Sequence, residues 1–232
     1  MGVDPAPEAL EIAPLAHHCN GGVAISENAE TTLRNLYAAE EVASGPHRAD
    51  RPGGDSLADC QVFGARAGSH AANKARQVKQ QSRRVKHAAE KSLTGFASSF
   101  SKAKATKLEL EKLRNTVRNA MMQGCGVVRT AQRLLGTIST LEEVQGKLKA
   151  LTPHVVPENS ARVLELRNMV CTGMMVTMAA VKREESRGSH YRADYPHTSS
   201  SCLQKLYISK GFEGMQFVCR MPYDVAPISW TC

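Results

Sequence analysis

Residues 110–151 read LEKLRNTVRNAMMQGCGVVRTAQRLLGTISTLEEVQGKLKAL, and their apolar side chains recur at helical spacing. Three successive series place large apolar residues three or four positions apart, so each series forms an apolar stripe along a helix. The stretch therefore predicts helices that pack together through these stripes. The three series are Leu110, Leu113, Val117 and Met121; Val127, Ala131, Leu134, Leu135 and Ile138; and Leu141, Val144, Leu148 and Leu151.

The helical pattern resumes after an interruption at Pro153 and Pro157, residues that cannot continue a helix. Apolar residues again fall on one side over residues 160–182, which predicts a further helix. Residues 105–183 are therefore predicted to form a three- to four-helix bundle with short links. Residues 184–232 are predicted to be a loop-rich tail with one strand, over residues 215–220.

The part of the chain before residue 73 differs in composition and is rich in Gly, Ala and Pro. Its two short apolar runs, residues 21–25 and 36–39, are predicted to be buried strands. An Ala-rich helix packed on a sheet is predicted over residues 56–72, with Asp55 or Ser56 as its N-cap. These patterns predict an α+β, mostly helical fold, in which a partial α/β domain over residues 1–72 precedes the bundle.

The formal net charge of +8 is concentrated in residues 73–104, which carry nine Lys or Arg and one acid, Glu90. Elsewhere the positive and negative charges balance. The segment is predicted to be a basic connector, either mobile or a solvated helix. Because aromatic residues do not alternate with its cations, nucleic acid is not expected as a partner.

Several protein classes are excluded by what the sequence lacks. No apolar run approaches the roughly 20 residues of a membrane-spanning helix, and the pattern of a secretory signal is absent. The seven cysteines include no CxxC pair, so neither a zinc ribbon nor a disulfide framework is expected. His17, His18 and Cys19 are consecutive and are not expected to share a metal ion. The expected compartment is the cytoplasm.

Three segments carry motifs that stand out from the rest of the sequence. Residues 16–23 read AHHCNGGV, residues 36–42 and 45–57 read LYAAEEV and GPHRADRPGGDSL, and residues 185–196 read ESRGSHYRADYP. They resemble the motifs A-H-Y-x-x-G-G-[IV], L-[YF]-A-x-G-E-[VC] with G-x-H-G-A-N-R-L-G-x-N-S-L, and E-S-R-G-[AS]-H-x-R-x-D-x-P. These motifs, in this order, are typical of the flavoproteins of fumarate reductase, succinate dehydrogenase and L-aspartate oxidase.

This resemblance implies an FAD-dependent oxidoreductase that transfers a hydride between flavin and a four-carbon dicarboxylate. By the matching motifs, His17 and Arg51 would hold the carboxylates of the substrate. Glu41 would accept a hydrogen bond from the ribityl chain of FAD. The backbone amides of Ser56 and Leu57, at the positive end of a helix, would meet the N1 and O2 edge of the flavin ring.

The resemblance also implies that residues 1–72 are the carboxyl-terminal remnant of an FAD-binding domain. The G-x-G-x-x-G turn that opens such a domain is absent, and there is no room for the capping domain of the family. An amino-terminal flavoprotein half or a partner chain is therefore expected. An iron–sulfur subunit is a further implied partner, with a peripheral position at a membrane through such subunits.

Two alternatives stay open at this point. The bundle and basic connector would form a non-catalytic interaction module that docks on an acidic partner subunit or on nucleic acid. In the second alternative the chain is a degenerate flavoprotein remnant, because it departs from the family pattern at four positions. Glu40 and Arg48 stand where the pattern has Gly, and Asp50 and Asp55 stand where it has Asn. Side chains at the Gly positions cost space near the cofactor, and the added acids place negative charge near a ring that becomes anionic on reduction.

The third motif is predicted to have a structural role. Arg187, His190, Arg192 and Asp194 are closely spaced after the last predicted helix. Such charges form networks that fix the register of packed elements. The network is predicted to tie the bundle to the flavin domain.

Overall fold

The computed structural model describes residues 17–77, 86–91, 94, 107–151, 159–211 and 214–220. The chain divides into two compact units, Met1–Val78 and Lys79–Cys232. The first combines short strands with one long helix and the second is mostly helical, so the predicted fold class is confirmed. The finer division predicted at residues 72, 104 and 183 stays a prediction.

The first unit contains a short parallel pair of strands. Strand β1 (Val23–Ala24) pairs with β2 (Ala43–Ser44), and Val23 lies opposite Ala43. A Cβ atom at Gly22 would collide with the backbone carbonyl of Val42. The glycine therefore permits the close approach of the two segments. A 3₁₀ turn, Glu40–Val42, leads directly into β2.

The predicted strand over residues 36–39 is wrong. Tyr37 makes an isolated antiparallel bridge to Glu30 and belongs to no strand. Asn35 and Glu40, on either side of this segment, have φ values of 67° and 63°. This left-handed conformation interrupts an extended chain at both ends. The partner of β1 consequently lies further along the chain, at β2.

Helix α1 (Asp55–Gln77) begins directly after Gly54, whose φ is +91°. Asp55 and Ser56 are therefore the first residues of the helix, and the predicted N-cap moves back to Gly54. The helix packs mainly on the Glu40–Val42 turn. The prediction that it packs on a sheet is therefore wrong. Its Leu57 is exposed, whereas Asp59 is its buried residue within the described part of the chain.

The second unit is built on three helices, α2 (Lys107–Gly124), α3 (Ala131–Leu151) and α4 (Ser160–Lys182). Each helix contributes apolar side chains to a common core, and burying one such side chain contributes about 1.5–3 kcal/mol. The predicted helical bundle is confirmed for the described residues. The core consists of Leu110, Val117, Leu141, Val144, Leu148, Val163, Leu166 and Val170.

The second and third predicted stripes belong to a single helix, α3. Val127 lies before this helix and is 63% exposed, so its place in the second stripe is wrong. The segment between α2 and α3 instead forms strand β3 (Val128–Arg129), which pairs in parallel with β4 (Tyr191–Arg192). Backbone pairing with a distant segment therefore overrides the local helical periodicity at this point.

The tail is more regular than predicted. A 3₁₀ turn, Ser200–Cys202, precedes β5 (Lys205–Gly211), which forms an antiparallel hairpin with β6 (Gly214–Arg220). The strand predicted over residues 215–220 is confirmed as part of β6. Among the described residues, no helix has both the length and the apolar character to cross a membrane.

Candidate functional site

The segment that begins with His17 is held against two other segments of the first unit. The backbone N–H of Cys19 donates a hydrogen bond to Oε1 of Glu41 at 3.0 Å. The side-chain amide of Asn20 donates to the carbonyl of Ala49 at 3.4 Å. These bonds join the predicted substrate-binding segment to the turn that carries Glu41 and to the loop that carries Arg51.

Two polar atoms at this junction are buried without a hydrogen-bond partner in the described structure. They are Nε of Arg51 and Nε2 of His18. An unpaired buried polar group costs about 1–3 kcal/mol, so such groups are rare unless a ligand or an ordered water satisfies them. The backbone N–H of Arg51 donates to Oδ1 of Asp50 at 3.0 Å, whereas the guanidinium Nε has no partner among the described residues.

The predicted cofactor-binding residues lie in the same unit. The backbone N–H of Leu57 donates to the carbonyl of Gly54 at 3.2 Å, so this amide already has a protein acceptor. Ser56 is half-buried at the amino-terminal end of α1. The roles assigned to His17, Glu41, Arg51, Ser56 and Leu57 stay predictions.

The substitutions at the two glycine positions are accommodated in a left-handed backbone. Glu40 has a φ of 63° and Arg48 a φ of 52°, a region that glycine adopts without steric cost. Burial, followed by the charge of Glu40 and a hydrogen bond with it, raises the pKa of the Cys60 thiol.

Replacing Arg48 by Gly is expected to stabilise the protein. The change removes the left-handed strain of about 1 kcal/mol, partly offset by the greater freedom of glycine in the unfolded chain. Arg48→Val should destabilise, because a β-branched residue tolerates this conformation least. Urea unfolding of both variants measures the effect, and equal stabilities would contradict it.

A buried polar pair that the sequence analysis did not single out lies beside these residues. Nε2 of His47 is 3.2 Å from Oδ2 of Asp59, and both residues are buried. The His47 ring also meets the ring of His18 edge-on, with centroids 5.3 Å apart. His47 is the histidine of the second motif, and this position is the sequence feature that could have identified it as a functional residue.

The second unit contains a separate network centred on Glu185, which is fully buried. Its carboxylate accepts hydrogen bonds from Arg183 at 2.6 Å, from Arg187 at 3.0 Å and from the backbone N–H of Ser199 at 2.9 Å. Burial alone raises the pKa of Glu185. The hydrogen bonds from Arg187, Ser199 and Arg183 together outweigh burial, so the pKa lies below its ordinary value.

Arg192 joins the tail to two helices of the bundle. Its guanidinium donates two parallel hydrogen bonds of 2.7 Å to Asp194 and one of 2.8 Å to the carbonyl of Ala180 on α4. Asp194 accepts a further bond of 2.8 Å from the N–H of Ala131, the first residue of α3. The hydrogen bonds from Arg192 hold the pKa of Asp194 far below its ordinary value. The side chains of this motif, for which a structural role is predicted, thus bond directly to helices of the second unit.

His190 completes this network as a neutral imidazole. Its Nδ1 accepts a hydrogen bond of 2.7 Å from Arg129, and its Nε2 donates one of 3.2 Å to the carbonyl of Arg183. Burial lowers the pKa of His190, and the charges of Arg129, Arg183 and Arg192 lower it further.

Acidification is expected to destabilise the fold through His190. The pKa of His190 is lower in the folded state than its value near 6.5 in the unfolded state. The contribution of neutral His190 to the free energy of unfolding is therefore complete above the unfolded pKa, and it is lost as the pH falls through the folded pKa. Between these two values the free energy of unfolding should fall by at most about 1.4 kcal/mol per pH unit. Urea unfolding at pH 7.5 and 5.5 should show a smaller fall in His190→Gln, and parallel profiles would contradict the prediction.

Comparison with protein families gives two matches that together cover most of the chain. Residues 114–214 match the family model for the fumarate reductase flavoprotein C-term. Residues 3–57 match the family model for the FAD binding domain. The second match contains the candidate residues of the first unit, and the first match contains the Glu185 and Arg192 networks.

The chain is also similar to individual proteins of known sequence or structure. It is 38% identical to one subunit of the fumarate reductase (CoM/CoB) of Methanothermobacter marburgensis, over 95% of this chain and 40% of the relative. It is 30% identical to the L-aspartate oxidase of Yersinia pestis, over 84% of this chain and 35% of the relative. The FrdA structure of Escherichia coli quinol fumarate reductase matches 95% of this chain and 39% of its own, with a TM-score of 0.80 and 26% identity.

Proposed function

Since the chain belongs to the flavoprotein family of fumarate reductase, succinate dehydrogenase and L-aspartate oxidase, we propose that it forms part of an FAD-dependent oxidoreductase. The proposed reaction is hydride transfer between flavin and a four-carbon dicarboxylate. The chain spans about 40% of the length of the curated relatives it matches. An amino-terminal half or partner chain would therefore supply the rest of the flavin pocket.

The observation that carries this proposal is the unpaired guanidinium nitrogen of Arg51. Its Nε is buried without a partner in the described structure, and its loop is bonded to the segment that begins with His17. A planar guanidinium binds a carboxylate through two parallel hydrogen bonds, and an imidazole adds a directional donor. Arg51 would bind one carboxylate of the substrate and the exposed His17 the other, which orients the reacting carbon.

The residues of the first unit also suit FAD, which supplies the hydride acceptor or donor when bound. Glu41 accepts one hydrogen bond from Cys19, and a carboxylate retains capacity for several more, so it would also accept one from a ribityl hydroxyl. The amino-terminal end of α1, at Ser56, presents the positive end of a long helix. This end would stabilise negative charge at the edge of the flavin ring.

We further propose that an iron–sulfur subunit is a partner and that the assembly has a peripheral position at a membrane. The iron–sulfur subunit is implied by the family resemblance, and support for the membrane position comes from a similar solved structure that is described as a quinol–fumarate reductase with menaquinol molecules. A quinol dissolves in the lipid of a membrane, so electrons would pass between the quinol and the flavin through a second protein.

Absorbance of the purified protein tests the proposed function. We expect a bound flavin spectrum in the flavoprotein that contains this chain together with its amino-terminal half. Absence of flavin, with a salt-sensitive shift of nucleic acid by the chain, would support the interaction module instead. Absence of both would support a degenerate remnant.

A further inference from the structure

We propose that His47 is the positioning residue of the dicarboxylate site, an inference that rests on the proposed function. A single side chain here contacts or belongs to three of the four segments that carry candidate site residues, the exception being the turn with Glu41. It lies on the loop with Arg51, is hydrogen-bonded to α1, and meets His18, the neighbour of His17. Its placement therefore links the parts of the site to one another.

The bond between His47 and Asp59 closes the loop that carries Arg51. The two residues are twelve positions apart, and Arg51 lies between them. Both are at least nine-tenths buried, with exposures of 9% and 7%. A buried carboxylate is strongly destabilising without a partner, so Asp59 retains this bond as long as the unit is folded.

The tip of the loop has few other restraints. Added Cβ atoms at Gly53 and Gly54 would meet no atom within 4 Å, so the backbone there is not packed against the rest of the unit. Apart from the bond that Asn20 donates to Ala49, the position of Arg51 therefore depends on how the two ends of the loop are held. The His47–Asp59 bond holds both ends at once.

The contact with His18 extends this restraint to the His17 segment. The two rings are 5.3 Å apart at an interplanar angle of 81°, the edge-to-face geometry that aromatic rings favour. The family motif A-H-Y has Tyr at the position of His18, which is also an aromatic residue. His47 thus fixes the spacing between the segments of His17 and Arg51, which sets the carboxylate separation that the site accepts.

The first test uses the chain by itself and needs no substrate. Exchange of the Arg51 Nε–H with water, measured by nitrogen-15 NMR, reports whether this group stays buried. In His47→Phe and Asp59→Leu we expect exchange to be at least about tenfold faster, because the loop opens more often. Asp59→Asn, which keeps an acceptor for His47, should stay within about threefold of the original rate.

A matched control removes a different restraint on α1. Arg66 donates from Nη1 to the carbonyl of Glu27 at 3.1 Å, at an exposed position of the same unit. Arg66→Ala should leave the exchange of the Arg51 Nε–H unchanged. If His47→Phe and Asp59→Leu also leave it unchanged, or if Arg66→Ala accelerates it as much, the positioning role is overturned.

The second test uses the flavin-loaded protein with fumarate as the substrate. Asp59→Leu should lower kcat/KM about 10- to 100-fold, since misplacement of a binding group by about 1 Å has effects of this size. The flavin spectrum should be unchanged, and Asp59→Asn should restore kcat/KM. An unchanged kcat/KM in Asp59→Leu would contradict positioning.

The two proposals fail in distinguishable ways. A wild-type protein that binds no fumarate would refute the proposed dicarboxylate function, whereas the exchange measurement would still decide whether His47 positions Arg51. Conversely, normal kcat/KM in Asp59→Leu, alongside normal exchange of the Arg51 Nε–H, would refute the role of His47 and leave the proposed function standing.

Discussion

Replacing Arg51 by Ala lowers dicarboxylate turnover by about 100- to 1,000-fold in the flavin-loaded protein, if Arg51 binds a substrate carboxylate. The loss is large because alanine removes the charge and both parallel hydrogen-bond donors at once. The flavin spectrum should be intact, since Arg51 is proposed to contact the substrate and not to hold the cofactor. Steady-state reduction of fumarate, with the absorbance spectrum recorded on the same sample, measures both effects.

Two further variants make this result specific to the site. Arg51→Lys keeps the charge but loses the planar fork, so its turnover should be restored only in part. Arg76, near the end of α1, is exposed and donates to Asn73. Arg76→Ala should therefore leave turnover unchanged. Unchanged turnover in Arg51→Ala would remove Arg51 from the mechanism.

Replacing Arg192 by Ala is expected to lower the free energy of unfolding by about 2–4 kcal/mol. Arg192 is 1% exposed, so its removal leaves a cavity, and the partly exposed Asp194 carboxylate loses its bidentate partner. The carbonyl of Ala180 loses a donor as well. Urea unfolding followed by circular dichroism measures the loss, which should appear in the helices of the second unit.

An exposed ion pair in the same unit provides the matched control. Lys147 and Glu143 are separated by 3.9 Å on the surface of α3. Because solvent screens such pairs, Lys147→Ala should change the free energy of unfolding by less than about 0.5 kcal/mol. If Arg192→Ala were no more destabilising than Lys147→Ala, the buried network would have no role in holding the tail to the bundle.

The helical part of the fold could be predicted from the sequence because its signal is local. Leu110, Val117, Leu141 and Leu148 recur at helical spacing, and all four are buried in the common core. The limits of the helices were harder to predict. α3 begins at Ala131, whose N–H is bonded to Asp194, a contact between residues far apart in sequence.

The strands of the first unit could not be predicted from composition alone. β1 and β2 are each two residues long, and their pairing is set by the left-handed conformations of Asn35 and Glu40 and by the close approach at Gly22. An apolar run such as residues 36–39 gives no sign of these backbone angles. The prediction of a buried strand there was therefore wrong.

The candidate site was accessible from the sequence only through motifs. His17 and Arg51 are far apart along the chain, and no periodic pattern connects them. The His47–Asp59 pair was missed because one partner lies in a loop and the other lies inside an Ala-rich helix, where an acidic residue is expected at the surface. The burial of Asp59 becomes evident only when α1 is placed against the preceding loop, which carries His47.

The most direct measurement is a crystal structure of the flavin-loaded protein with a bound four-carbon dicarboxylate. We predict that the side chains of Arg51 and His17 both lie within hydrogen-bonding distance of its carboxylates, about 3 Å, beside the flavin ring. The amino-terminal end of α1 at Ser56 should face the edge of that ring. A structure in which either side chain lies away from the ligand, or in which protein covers the start of α1, would contradict the proposed site.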